Sequence, residues 1–77
     1  MEQNKNEQIP KETYKGIVKF TLESMLDLSK NDKSYFLGLD LMHYYCSTIA
    51  KEKIITKDEF KEICEEVQIP KHYYTDL

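Results

Sequence analysis

The chain has 77 residues, which is enough for one domain and close to the size below which a hydrophobic core needs disulfides or metal ions to fold. A hydrophobic content of 40% excludes a wholly disordered chain. The net charge of −3 excludes a general electrostatic attraction to nucleic acid or to an acidic membrane surface.

Every basic residue other than histidine is a lysine, and the sequence has no arginine. Lysine, isoleucine, asparagine and tyrosine are encoded by A/T-rich codons. This composition therefore indicates an A/T-rich bacterial genome, or one of its phages or plasmids. Because there is no guanidinium group, the two-pronged contacts that arginine makes with guanine or with carboxylates are excluded.

Residues 1–8 have no apolar side chain after the initiator methionine and are predicted to form a disordered tail. A single helical domain is then expected over residues 9–77. Pro10 favours the first turn of a helix, where its missing N–H group needs no partner. The apolar positions that follow recur at steps of three and four, which indicates one helical face. They are Tyr14, Ile17, Val18, Thr21, Leu22, Met25 and Leu28 or Ser29.

The stretch from Tyr35 to Ala50 is apolar over far more than the stripe of about 100° that a surface helix needs. Its polar residues Asp40, His43 and Ser47 form only a narrow stripe. Residues 37–41 alternate as a β-strand does, but the whole run is too long for one strand. We therefore predict a central helix that its neighbours cover on at least two sides.

The clearest sequence pattern for a helix start is a capping box formed by Thr56 and Glu59, with Ile55 and Phe60 placed as a hydrophobic staple. The inner face of this third helix is predicted to consist of Phe60, Ile63, Cys64 and Val67. Pro70 ends the helix or opens a new turn. The sequence thus predicts an all-α fold, a small bundle of three to four helices.

Two sets of residues are candidates for binding a partner. The third helix carries acidic residues opposite its inner face, and acidic helices suit basic protein surfaces because complementary potentials speed and select association. The central helix has more aromatic residues than two short neighbours can cover, which predicts an interface and a possible homodimer. The candidates are Asp58, Glu59, Glu62, Glu65 and Glu66, with Tyr44, Tyr45 and Tyr73 at the uncovered edge.

Residues typical of catalytic and metal sites are present without a working arrangement. Asp40, His43 and Ser47 share one stripe, but a single helix face supplies neither an oxyanion site nor a substrate cleft. The two cysteines and two histidines come from four separate positions and lack the Cys-x-x-Cys spacing of zinc sites. We therefore expect no enzyme activity, no metal ion and no other cofactor.

The two cysteines also indicate the cellular compartment in which the protein is expected. Cys46 and Cys64 lie on predicted buried faces, and the N-terminus does not read as a secretory signal. Reduced core thiols are then expected rather than a disulfide. No apolar run reaches the roughly 18 residues of a membrane span. The sequence predicts a cytoplasmic protein.

The stretch TKDEFKEICEEVQIPKHYYTDL, from Thr56 to Leu77, resembles the helix-turn-helix of small phage and plasmid regulators. The matching apolar or small residues are Ile63, Cys64, Val67, Ile69, Tyr74 and Leu77. Gln68 stands where the pattern usually has glycine, because the backbone there needs a positive φ. The resemblance implies a second helix in the major groove of DNA. The residues that would face the groove are Lys71, His72 and Thr75.

The segment ITKDEF, residues 55–60, is similar to the helix start of short helical C-terminal modules of bacterial proteins, the SHOCT type. This resemblance covers a small part of the chain and implies a role in association.

Two functions are compatible with these sequence patterns. The first is a non-enzymatic protein that binds and regulates or inhibits another protein, such as a phage or mobile-element inhibitor of the anti-CRISPR type, or a small regulatory subunit. The second is a helix-turn-helix regulator that binds DNA as a dimer. Acidic residues outnumber lysines over residues 57–77, which opposes phosphate contacts and favours the first function.

Overall fold

The computed structural model describes residues 9–75, and every regular element within them is helical. The α-helices are α1 (Lys11–Ser29), α2 (Tyr35–Glu52) and α3 (Lys57–Val67). Short 3-10 helices span Asp32–Ser34, before α2, and Lys71–Tyr73, after α3. The predicted all-α class is confirmed for the described residues, whereas the predicted tail over residues 1–8 lies outside them.

Helix α1 begins directly after Pro10, as the sequence predicted. The Pro10 carbonyl oxygen accepts a hydrogen bond from the Tyr14 backbone N–H at 2.9 Å, which starts the helical ladder. Val18 and Leu22 are the buried residues of this helix. Ile17, which the periodicity placed on the inner face, is 46% exposed. The inner face of α1 is therefore narrower than the sequence indicated.

Helices α1 and α2 run antiparallel and approach closely at Gly38. A Cβ atom built on Gly38 would lie 2.5 Å from the backbone nitrogen of Ser29 and 2.9 Å from the backbone oxygen of Met25. At the other end of the pair, the Tyr14 hydroxyl donates to the Glu52 carboxylate at 3.0 Å. The start of each helix thus lies beside the end of the other.

Helix α3 begins with the capping box that the sequence predicted. The Thr56 hydroxyl oxygen accepts from the Glu59 backbone N–H at 3.0 Å, and the Glu59 carboxylate accepts from the Thr56 N–H at 2.8 Å. Ile55 and Phe60 are both buried, as a hydrophobic staple requires. The predicted inner face of α3 is also confirmed, since all four of its residues are buried.

Helix α3 ends in a Schellman motif at Gln68. The Ile69 N–H donates to the Cys64 carbonyl oxygen at 2.9 Å, and the Gln68 N–H donates to that of Glu65 at 3.2 Å. Gln68 has a φ of 70°, and this left-handed conformation costs a residue with a Cβ atom about 1–2 kcal/mol. Burial of the Ile69 side chain stabilises by about 1.5–3 kcal/mol, which offsets that cost.

The core draws on all three α-helices and on the segment that follows α3. Its fully buried side chains are Val18, Leu22, Met42, Cys46 and Cys64. Helix α1, and not α2, makes extensive contacts with both other α-helices. The prediction that α2 is the covered central helix is therefore wrong. Phe36 and Tyr44 of α2 are 76% and 71% exposed, because the short α3 lies along α1 and leaves one flank of α2 uncovered.

The two glycines form a matched pair for testing the close approach of α1 and α2. We expect Gly38→Ala to destabilise the protein by about 1–3 kcal/mol, because its Cβ atom would meet the backbone of α1. A Cβ atom at Gly16 meets nothing within 4 Å, so Gly16→Ala should stabilise by up to about 1 kcal/mol. Urea unfolding midpoints measure both changes. A wild-type midpoint for Gly38→Ala would contradict the close contact.

Candidate interaction surfaces

The acidic residues of α3 face two different environments. Glu59 and Glu66 lie toward α1, where the Lys11 ammonium is 2.9 Å from the Glu59 carboxylate and that of Lys19 is 3.5 Å from Glu66. The Thr56 backbone N–H, followed by Lys11, lowers the pKa of the Glu59 carboxyl. Two of the five acidic candidates thus form ion pairs with α1, which the sequence did not indicate.

Asp58, Glu62 and Glu65 form the outward stripe of α3, which we call the acidic stripe. Their spacing of four and three residues places them on one helical line, opposite the buried face, and all three are exposed. Repulsion between like charges along a helix costs only a few tenths of a kcal/mol per pair. The stripe is therefore stable as a solvated surface and also suits a basic partner.

The three tyrosines predicted at an uncovered edge lie in three different environments. Tyr44 is on the surface, whereas Tyr45 is half-buried and packs against the core. Tyr73 is buried, with its ring centroid 6.1 Å from that of His43 on α2. The assignment of Tyr73 to an exposed edge is corrected, because the 3-10 helix after Pro70 turns this side chain back onto α2.

Helices α1 and α2 together present a surface that the sequence patterns missed. Two rows of residues, one on each helix, have helical spacings of three and four and contain no charge. We call them the uncharged face: Ile17, Phe20, Ser24 and Leu28 of α1, with Leu37, Leu41, Tyr44 and Thr48 of α2. Such a face stands out in a chain of which 32% is charged.

The two rows lie side by side because the contacts between α1 and α2 fix their register. Between the contacts at the two ends of the pair, the Thr21 hydroxyl lies beside the Tyr45 phenol. Phe20 directly precedes Thr21, and Tyr44 directly precedes Tyr45. Both Phe20 and Tyr44 lie on the flank of the helix pair that faces away from buried Leu22. Both rows therefore lie on the side of the helix pair opposite the core.

The polar groups within the uncharged face have acceptors inside their own helices. The Ser24 hydroxyl donates to the Phe20 carbonyl oxygen at 3.1 Å, and the Thr48 hydroxyl donates to that of Tyr44 at 2.9 Å. Phe20 and Tyr44 are 70% and 71% exposed and alone present on the order of 250 Å². With its aliphatic members, the face reaches the few hundred Å² that mark interaction sites.

A groove of about 990 Å³ lies between the end of α2 and the start of α3. Lys53, Lys57 and Lys61 line its rim, and Ile55 and Phe60 are part of its floor. These two floor residues are themselves buried, so their side chains offer little apolar surface to a ligand. The uncharged face is therefore the larger apolar surface of the two.

The segment after α3 differs from the second helix that the helix-turn-helix resemblance implies. Only Lys71–Tyr73 is helical, as a single 3-10 turn, and no α-helix forms between Pro70 and Thr75. His72 and Thr75 are exposed, as is Lys71, but a recognition helix must lie along the major groove with several residues in contact. The last apolar position of the resemblance, Leu77, lies outside the described residues.

Cys46 of α2 and Cys64 of α3 are free thiols without solvent exposure, as predicted for reduced core residues. The hydrogen bond with Cys46, followed by burial, raises the pKa of the Cys64 thiol well above its ordinary value. The same hydrogen bond lowers the pKa of the Cys46 thiol. Because neither sulfur is exposed to a reagent, this pair is suited to packing rather than to nucleophilic chemistry. Within residues 9–75, no three His, Cys, Asp or Glu side chains converge as a metal site.

No protein-family model, no curated protein and no solved structure matches this chain. The resemblances to helix-turn-helix proteins and to SHOCT-type modules therefore stay predictions.

Among the helices of residues 9–75, none combines the length and the apolar character required to cross a lipid bilayer.

The buried thiols predict a chemical protection that is simple to measure. In the folded protein near neutral pH, we expect neither Cys46 nor Cys64 to react with the aromatic disulfide DTNB, because the reagent needs an accessible thiolate. Both thiols should react in denaturing urea. Ser24→Cys adds an exposed thiol as a positive control that reacts at once. Rapid reaction of the unmodified chain in buffer would contradict the burial of the pair.

Proposed function

We propose that this chain is a non-enzymatic protein-binding domain that regulates or inhibits another protein. The uncharged face carries the proposal. The largest exposed apolar patch of a monomer is on the order of 300–600 Å² and is often a functional site. Aromatic side chains near the centre of such a patch supply much of the binding energy. Phe20 and Tyr44 are the most exposed large apolar side chains of the two rows.

The acidic stripe supports a second feature of the proposal, which is selection of a partner with a basic surface. Complementary charge raises the rate of association and disfavours acidic competitors. Asp58, Glu62 and Glu65 are exposed and lie outside the ion pairs that link α3 to α1. A nucleic-acid-binding site on a partner protein has the matching chemistry, since it carries lysine and arginine.

DNA binding by a helix-turn-helix is the weaker alternative. The single 3-10 turn at Lys71–Tyr73 and the acidic stripe on the preceding helix both weigh against it. Its distinguishing property is a duplex affinity that falls steeply with salt concentration.

The double variant Phe20→Asp/Tyr44→Asp tests the proposed docking surface. Tagged wild-type chain should retain its partner from a lysate of the source cells, and the double variant should lose it, because a buried unpaired charge is costly. The melting temperature should change little, since both side chains are exposed in the fold.

Phe36→Asp is the matched control for that experiment, because it places the same charge at an exposed aromatic residue of α2 outside the uncharged face. The control should keep the partner. Equal retention by the double variant and by the control would rule out the uncharged face as the docking surface.

Charge reversal tests the role of the acidic stripe. In Glu62→Lys/Glu65→Lys, retention of a basic partner should fall and its salt dependence should vanish, because the attractive potential is removed. Glu23→Lys/Asp27→Lys changes the net charge equally at exposed positions of α1 and should have a smaller effect. Glu66 is left unchanged because it pairs with Lys19.

Two results would count against the acidic stripe. Equal losses in the two charge-reversed variants would show that net charge, and not the position of the stripe, controls binding. Tight, salt-sensitive duplex DNA binding that strengthens on reversal of Glu62 and Glu65, without any effect on protein capture, would support the helix-turn-helix alternative.

A further inference from the structure

We infer that the uncharged face binds a second copy of this chain, so that two α1–α2 pairs pack face to face as a four-helix dimer. The inference rests on the proposed function in taking this face as the docking surface, and it goes further by naming the occupant. Two features of the face, its charge and its shape, favour a second copy over a foreign protein, and its area sets the strength of the dimer.

The charge of the face is the first feature. In a two-fold dimer the same patch meets itself, so any charge on the patch meets an identical charge across the axis. None of the eight residues of the uncharged face is an aspartate, glutamate, lysine, arginine or histidine.

The shape of the face is the second feature. It consists of two antiparallel helices of 19 and 18 residues, each contributing a row of four residues with three- and four-residue spacing. A two-fold axis between such layers packs helix pair on helix pair, which is the arrangement of four-helix assemblies. The two rows lie at nearly the same height along the axis of the helix pair, because Phe20 and Tyr44 both flank the Thr21–Tyr45 contact.

The area of the face sets the strength of the dimer. From its first to its last residue each row advances eleven positions, about 16 Å of helix, and the two helices lie about 8–10 Å apart. With side chains included, the face covers on the order of 400–500 Å² per copy. The total is at the low end of specific interfaces, below about 1,200 Å². A reversible dimer in exchange with the monomer is therefore expected, and not a permanent one.

Sedimentation of the purified chain over about 1 µM to 1 mM tests this inference without any foreign partner. The wild-type mass should rise with concentration from 9.2 kDa toward twice that value. Phe20→Asp and Tyr44→Asp should each weaken dimerisation at least about tenfold, because each places like charges across the two-fold axis. Phe36→Asp, outside the face, should dimerise as the wild type does.

Ser24→Lys provides a second variant in which folding is not at risk. Ser24 is exposed at the middle of the face, and its hydroxyl contacts only its own helix. The added ammonium group should abolish the dimer and leave the melting curve of the monomer nearly unchanged. Circular dichroism of each variant shows whether a lost dimer reflects the interface or the fold.

The outcomes separate the inference from the proposed function. A wild-type mass of 9.2 kDa throughout, or a dimer that all three face variants leave intact, would overturn the inference. The proposed function would survive the first of these results if capture of a foreign protein still depends on Phe20 and Tyr44. Conversely, a face-dependent dimer without any face-dependent capture would uphold the inference and overturn the proposed regulation through this face.

Discussion

The close approach of α1 and α2 at Gly38 is the constraint on which the rest of the structure depends. Because Gly38 lacks a Cβ atom, the backbone of α2 rests directly against that of α1 at Ser29. This contact sets the register of the pair, and the hydrogen bond between Tyr14 and Glu52 closes its other end. The buried side chains of both helices then face the same side, where α3 completes the core.

The position and length of α3 determine which apolar residues of α1 and α2 are exposed. α3 has only 11 residues and covers one side of the α1–α2 pair. In a chain of this length, the surface is too large relative to the core for every apolar side chain to be buried. The opposite side of the pair therefore keeps Phe20 and Tyr44 in solvent, and the uncharged face follows from the size of the domain.

Local features could be predicted from the sequence, and non-local ones could not. The capping box at Thr56 depends on four consecutive residues, so both its place and its geometry were predictable. The exposure of α2 depends on where α3 lies, and the ion pair between Lys11 and Glu59 joins residues far apart in the chain. The close approach at Gly38 also depends on where α1 lies, so no local pattern indicated it. The uncharged face had one readable signal, the absence of charge at matching helical positions on two helices.

The two surfaces are compatible because they lie on opposite sides of the α1–α2 pair. α3 packs on the core side and points its acidic stripe away from the core, whereas the uncharged face lies on the other side. Occupation of the face by a second copy leaves both acidic stripes in solvent. The proposed dimer would then present two stripes to a basic partner, and two linked contacts bind more tightly than one wherever the partner can reach both. On the two proposals together, weak self-association would let the concentration of the chain set its affinity for a regulated protein.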